Sequence, residues 1–341
     1  MNDFINKIIT GDSFEVLKQM TSNSVDLVVT SPPYFQQRDY GNGNSGIGNE
    51  QTEKQYLENL LNIFFESVRV TKPTGTIVYN LGDKYKNGGL LLVPYRFAIQ
   101  AIESKKVFLI NDLTWIKLNP TPRQDTKKLI SSTEPFFIFA KSKDYYFNLE
   151  NFLSHLDELN KRDYNKPSSK LGKKYFQLIE NSDLNDVEKS KAIKELQNAI
   201  NDVIKGEIVS FRMKIRGIHK LAYGGQAGGR NNQIINAGFT IIRINGKKLK
   251  KDIIESPVEF TQGNDHPAVY PKYIIQELIK FLTKENDIVL DPFCGSGTTC
   301  IVAKKLNRSY IGIEINPEYV KLSKERIEKE TTNHKQLEFF V

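Results

Sequence analysis

Ile288-Val289-Leu290-Asp291-Pro292-Phe293-Cys294-Gly295-Ser296-Gly297-Thr298-Thr299 is the stretch on which the reading of the fold turns. Its apolar start reads as a buried strand ending at Asp291, and Thr298 to Leu306 reads as the helix that follows. Between them, Gly295 and Gly297 let the backbone pass close to a ligand with no Cβ in the way. The next strand, Tyr310 to Glu314, ends in a carboxylate that can accept two hydrogen bonds from ribose hydroxyls. A phosphate-binding loop would need a lysine after its glycines, and the dinucleotide fingerprint has a different glycine spacing. The pattern therefore predicts a site for a nucleoside-bearing cofactor.

Far upstream, Val25 to Thr30 is a second apolar run, and Ser31-Pro32-Pro33-Tyr34 follows it. Taken alone this is a turn after a buried strand. Beside a cofactor site it suits an amino group carried on a flat ring, whose lone pair is delocalised and whose nitrogen is a poor nucleophile. Ser31 Oγ and the Pro32 carbonyl are acceptors that can orient both N–H groups. Two prolines stiffen the backbone that carries them. Tyr34 offers a ring on which a base can stack.

Around these segments the chain alternates strand and helix. Strands are expected at Lys7–Thr10, 25–30, 76–81, 113–118 and 135–140, with helices at 13–20, 52–70 and 90–104. Helix 271–282 and the Asp291 block resume the alternation near the end. That order implies a doubly wound, mostly parallel sheet covered on both faces. The middle differs. A helix is expected over Asp183–Lys205, capped by Ser182, with Leu184, Val187, Ile193, Leu196, Ile200 and Ile204 as its apolar stripe. From Lys205 to Lys251 there are eleven basic residues and one acidic. Within that block, 224–232 reads as a polar loop. We therefore expect one α/β domain in two halves, 1–148 and 263–341, interrupted by an insertion at 149–262.

The excess of Lys and Arg over Asp and Glu, 48 against 40, favours a polyanionic partner over a merely lysine-rich surface once the basic block is considered. Two cysteines and four histidines are too scattered for a disulfide framework or a metal site. No apolar run is long enough to span a membrane, and the N-terminus lacks a signal-peptide pattern. These features predict a cytoplasmic, reduced location.

The two motifs, in this order, resemble those of the permuted β group of DNA amino-methyltransferases. Ser31-Pro32-Pro33-Tyr34 matches the family's (Ser/Asp/Asn)-Pro-Pro-(Tyr/Phe) signature, and Asp291-Pro292-Phe293-x-Gly295-x-Gly297-Thr298 matches its cofactor motif. The resemblance covers about 5–148 and 262–327. It implies a Rossmann-like methyltransferase fold with circularly permuted motif order and S-adenosylmethionine as cofactor. Asp12 would contact the adenine end and His266-Pro267 would lie against the methionine part, with Phe293 and Thr298 in the same site. The middle would be a target-recognition region on double-stranded DNA, with Arg212, Lys214, Arg216, Lys220 and Arg230 as candidate contacts and the Gln36–Gly48 loop as a second surface.

Direct transfer to a flipped base is implied, with no covalent intermediate, so Cys294 and Cys300 are expected to be packing residues. In this family a leading serine goes mostly with cytosine-N4 and a leading aspartate with adenine-N6. Ser31 therefore favours cytosine, with adenine as the alternative; a cognate restriction endonuclease is a candidate partner that the sequence alone does not establish. A protein amide methyltransferase would normally carry Asn first and its cofactor motif upstream. An inactive DNA-binding relative would not be expected to retain every motif position.

Overall fold

The computed structural model describes residues 3–37, 46–120, 127–155, 171–208, 210–220, 228–244, 250–258 and 271–338. The chain divides into two compact units, one formed by Met1–Leu153 with Lys250–Val341 and the other by Ser154–Leu249.

The first unit is built on an eight-stranded sheet. Its strands, in chain order, are β1 (Lys7–Thr10), β2 (Val25–Thr30), β3 (Thr71–Asn80), β6 (Phe108–Lys117), β7 (Thr133–Ala140), β10 (Ile253–Ser256), β11 (Ile288–Asp291) and β12 (Ser309–Glu314), while β4 (Tyr85–Lys86) and β5 (Gly89–Leu90) form a separate small hairpin. Across the sheet the order is β1-β12-β11-β2-β3-β7-β6-β10, and only β7 runs antiparallel to its neighbours. The late strand β11 thus sits centrally, between β12 and the early strand β2. Permuted motif order and a doubly wound sheet are reconciled by that placement. The point where strand order reverses, between β11 and β2, is where such sheets open a crevice at their C-terminal edge.

Both sheet faces are buried, and side-chain alternation assigns each residue to one of them. Val28, Ile77, Tyr79, Phe137 and Phe139 pack under α1 (Ser13–Gln19), α2 (Glu53–Val70) and α3 (Val93–Glu103). Leu27, Val29, Val78, Phe136 and Ile138 pack under α7 (Lys272–Leu282), α8 (Thr298–Lys305) and α9 (Pro317–Glu338). Helix α2 starts where Thr52 Oγ1 accepts from Gln55 N at 3.2 Å, and its stripe runs through Tyr56, Leu60 and Phe64. Phe64 meets Tyr79, Phe97 and Phe139 edge-on at 5.1–5.3 Å between ring centres. Truncating such a fully buried ring costs about 3–5 kcal/mol. Among the described residues no helix is long and apolar enough to cross a membrane.

Strand β10 lies within the span expected for the insertion, yet it pairs in parallel with β6 at the sheet edge. Trp115 Nε1 donates to the Ser256 carbonyl at 3.1 Å across that pair. An edge strand of four residues carries too little periodicity to be recognised in the sequence.

The second unit has α4 (Lys173–Glu180), α5 (Asp186–Ile204), α6 (Gly228–Ala237) and an antiparallel hairpin of β8 (Ser210–Ile215) and β9 (Phe239–Ile244). Ile179, Leu184, Leu196, Phe211, Met213 and Phe239 form its core. Three expectations change here. The cap of α5 is Asn185, in a reciprocal capping box with Glu188, whereas Ser182 donates to the Ile179 carbonyl at the end of the preceding helix. Val187 and Ile204 are exposed, since the buried stripe of α5 runs through Ala192, Leu196 and Ala199. Val187 and Leu196, nine residues apart, face opposite ways on a helix of 3.6 residues per turn. Finally, 228–232 belongs to α6 rather than to a loop, while 221–227 lies outside the described residues.

Candidate active site

The cofactor motif folds as a loop around two buried carboxylates. Asp291, 1% exposed, accepts from Thr30 Oγ1 (2.5 Å) and Phe293 N (3.0 Å) on Oδ1, and from Thr299 Oγ1 (2.6 Å) on Oδ2. It thereby ties β2, the turn and the start of α8 together. Glu314, at the tip of β12, takes Gly295 N on Oε2 and Asn316 N on Oε1, each at 2.9 Å. Burial pushes its carboxyl above the ordinary range, partly offset by those backbone N–H groups, and Asp291 adds to the rise.

Gly295 and Gly297 both have positive φ. At Gly297 the requirement is packing as well: a Cβ would stand 2.9 Å from Ser323 Cβ, so the residue lets α9 close on the loop. Cys294 and Cys300 sit 3.6 Å apart with Gly312 against both sulfurs, as small packing residues. The Cys300 hydrogen bond and burial push the Cys294 thiol upward, away from the reactive thiolate.

Asp12 arrives at the same edge because Thr10 pairs with Glu314 and Gly11 N donates to the Glu314 carbonyl at 3.0 Å. Its Oδ1 caps α1 through Phe14 N and Glu15 N. Ser13 Oγ donates to the Pro292 carbonyl at 2.5 Å, locking that helix start onto the cofactor loop. The corner suits a nucleoside on its own chemistry. The Glu314 carboxylate is held by backbone N–H groups, among them Gly295 N and Asn316 N, and its two oxygens retain acceptor capacity for a hydroxyl. Thr298 Oγ1 is buried without a hydrogen-bond partner among the described residues.

Across the switch point, Ser31 continues directly from Thr30, the residue bonded to Asp291. The turn is fixed by the Tyr56 hydroxyl, which donates to the Pro33 carbonyl at 2.9 Å, and by Gln36 N donating to the Gly48 carbonyl at 2.7 Å. Tyr34 lies over Gly82 so closely that a Cβ there would stand 2.3–2.4 Å from its ring carbons. The Tyr34 hydroxyl donates towards Asn80 Oδ1 (2.8 Å) and Glu134 Oε2 (3.1 Å) and accepts from Ser31 Oγ (3.2 Å). Glu134 Oε1 in turn pairs with Lys117.

Asn80, Gly82 and Glu134 were not singled out from the sequence, and Lys117 was matched only to one of the family's late strands, with no role in the site. Their one local signal is polar residues at the ends of apolar strands: Asn80 closing β3 and Glu134 opening β7.

Among the expected DNA contacts, Arg212 is exposed and Lys214 half-buried on the same outward face of β8, alternating with buried Phe211, Met213 and Ile215. Lys220 is exposed. Arg216 is engaged by Glu188 (2.7 Å) and Asp183 (3.7 Å), with its hydrogen bond to Glu188 raising its pKa. Arg230 lies in α6. His266, Pro267 and most of the Gln36–Gly48 loop (38–45) lie outside the described residues.

Sheet order, a late central strand and the two facing motifs define an α/β methyltransferase with its cofactor half at the end of the chain. More narrowly, the chain belongs to the N6/N4 DNA methylase family, whose profile matches residues 25–325. It is 26% identical to the type II methyltransferase M.Cfr9I of Citrobacter freundii, over 96% of this chain and 89% of that protein. It is 27% identical to M.SmaI of Serratia marcescens, over 94% and 90% respectively. Among solved structures it shares its fold with the PvuII cytosine-N4-specific DNA methyltransferase (TM-score 0.59, 18% identity, 96% and 93% of the two chains). It also matches TTHA0409 of Thermus thermophilus, solved with S-adenosyl-L-methionine (TM-score 0.53, 20% identity, 95% and 94%). The protein is a DNA methyltransferase, and its cofactor is S-adenosylmethionine.

Proposed function

We propose that the enzyme methylates the exocyclic N4 amine of cytosine in duplex DNA. The observation that carries this is Ser31 at the tip of β2, next to Thr30, whose hydroxyl bonds Asp291 across the switch point. S-adenosylmethionine supplies an electrophilic sulfonium methyl. Glu314 accepts from its ribose hydroxyls, Asp12 lies towards its adenine, and the loop from Asp291 to Thr298 forms the floor. The target base is flipped, at a cost of a few kcal/mol, and stacks on Tyr34. Ser31 Oγ and the Pro32 carbonyl accept the two amine N–H bonds, so the nitrogen lone pair turns out of conjugation towards the methyl. The surplus proton leaves afterwards to solvent.

We assign target recognition to the inserted unit, with Arg212, Lys214, Lys220 and Arg230 on phosphate or base edges. The type II relatives support a restriction endonuclease as the biological counterpart. Adenine-N6 is the second reading, since the family takes its name from both amines and either ring presents one. Incubating the enzyme with labelled S-adenosylmethionine and unmethylated genomic DNA, then digesting to nucleosides, separates them. Labelled N4-methylcytosine is the expected product; N6-methyladenine would overturn the base assignment and keep the chemistry.

A further inference from the structure

The side chains below Ser31 form a directed chain. Asn80 Nδ2 donates to the Pro135 carbonyl at 3.1 Å, which turns its Oδ1 towards Tyr34. Glu134 offers the Tyr34 hydroxyl a carboxylate oxygen at 3.1 Å while Lys117 occupies the other. Neither Asn80 Oδ1 nor Glu134 Oε2 can donate, so the single phenolic proton must point to them. The phenolic oxygen is then left to accept, and Ser31 Oγ donates to it at 3.2 Å. A serine hydroxyl has one proton. Once it is committed to Tyr34, only lone pairs remain for the substrate.

This direction matters for the reaction. An unrestrained serine can rotate and donate its proton to the amine nitrogen, occupying the electrons that must attack the methyl group. A carboxylate at that position would need no such control, because it can only accept. We propose that Glu134, paired with Lys117, is a positioning residue that acts through Tyr34 to hold Ser31 Oγ as an obligate acceptor for the amine. The pair lies on the antiparallel strands β6 and β7, with side chains 17% and 15% exposed, and so is shielded from competing water. The inference rests on the reading of Ser31 as the amine's acceptor. It adds a specificity: this pocket rewards a substrate that presents N–H bonds and disfavours one that presents only lone pairs.

The test is single-turnover methyl transfer to unmethylated genomic DNA by Tyr34→Phe, Glu134→Gln, the double variant and Ser31→Ala. Cofactor affinity and melting temperature are measured alongside. Tyr34→Phe keeps the ring and deletes one oxygen. It and Glu134→Gln should each slow transfer about tenfold or more, as loss of orientation at a reacting group does, with cofactor binding unchanged. Because they act in series, the double variant should be no slower than the slower single.

Multiplying effects in the double variant would show that Glu134 acts independently and would overturn the chain. Should Glu134→Gln fail to fold, Tyr34→Phe decides alone: slowed transfer supports the chain and a wild-type rate overturns it. Ser31→Ala at full rate would remove the underlying reading as well. A slow Ser31→Ala beside a fast Tyr34→Phe would remove only the relay.

Discussion

The two corners that we assign to the cofactor and to the base are made in different ways. Around Asp291 and Glu314 the carboxylates are almost fully buried, and the partners that hold them are backbone N–H groups and threonine hydroxyls. Around Ser31 the side chains of Ser31, Tyr34 and Glu134 are half-buried, with Asn80 buried beneath them, and side chain bonds side chain from strand to strand. Backbone donors on a glycine turn stay in place whatever the ligand does, so the first corner is preorganised by the fold. The second depends on the order of hydroxyl protons and the seat of one ring. One added carbon can disturb it.

That contrast is broken most severely at Gly82. Gly82→Ala puts a methyl group into the Tyr34 ring, which must swing away and take the hydroxyl network with it. Transfer should fall by about 10²-fold, the effect of roughly 1 Å misplacement, while cofactor affinity stays near wild type. Stopped-flow or quench-flow transfer rates beside calorimetric cofactor titration make the comparison. Equal losses in both would mean that the corners are not separable.

The complementary change is Glu314→Gln, which should weaken S-adenosylmethionine about 10- to 100-fold, the cost of about 1.5–3 kcal/mol for hydrogen bonds to a charged acceptor. Tyr34 and its partners remain untouched. The same carboxyl sets a pH dependence. Its pKa is raised by burial, so the ionised acceptor is lost on acidification earlier than for an ordinary glutamate. Cofactor affinity should therefore hold above the raised value and weaken as pH falls through it. For the free protein the sign reverses: this group favours the fold most below the ordinary glutamate pKa, and that contribution disappears as pH rises through the raised value. A pH-independent dissociation constant in the wild type, or a pH dependence that persists unchanged in Glu314→Gln, would contradict the assignment.

The smallest effects are expected in the inserted unit, where formal charge and available charge differ. Arg212→Ala should weaken DNA binding a few-fold and lower the salt slope by about 1. Arg216→Ala should instead lower the melting temperature of that unit and leave the slope nearly unchanged, because Glu188 and Asp183 already hold the guanidinium. A reversed pattern would redraw the DNA-facing side of the hairpin.

Most of the elements that carry the proposed site were legible before any fold was known. Strand β11 is Ile288–Asp291 as its apolar run implied, and β12 ends at Glu314. Helix α2 follows its apolar spacing to within a residue. These elements carry their own signals: a periodicity, a cap, a glycine where φ turns positive. The inserted unit was less legible. Its α5 is capped three residues later than expected, since Ser182 and Asn185 are both competent caps and only the reciprocal bond from Glu188 chooses between them.

By itself the sequence determined the class of fold, the strand, glycine turn and helix to which we assign the cofactor, and the residues of the Ser-Pro-Pro-Tyr turn, because each is specified by neighbours in the chain. Tertiary structure alone decided that the late strand would be central, that Gly82 would seat a ring from β2's turn, and that Glu134 would meet Tyr34 across 100 residues of chain. Those contacts join side chains from separate strands, and no local spacing encodes them. It also decided which cations remain outward: an arginine closed on two carboxylates and an exposed one look alike in a charge count, and only packing tells them apart.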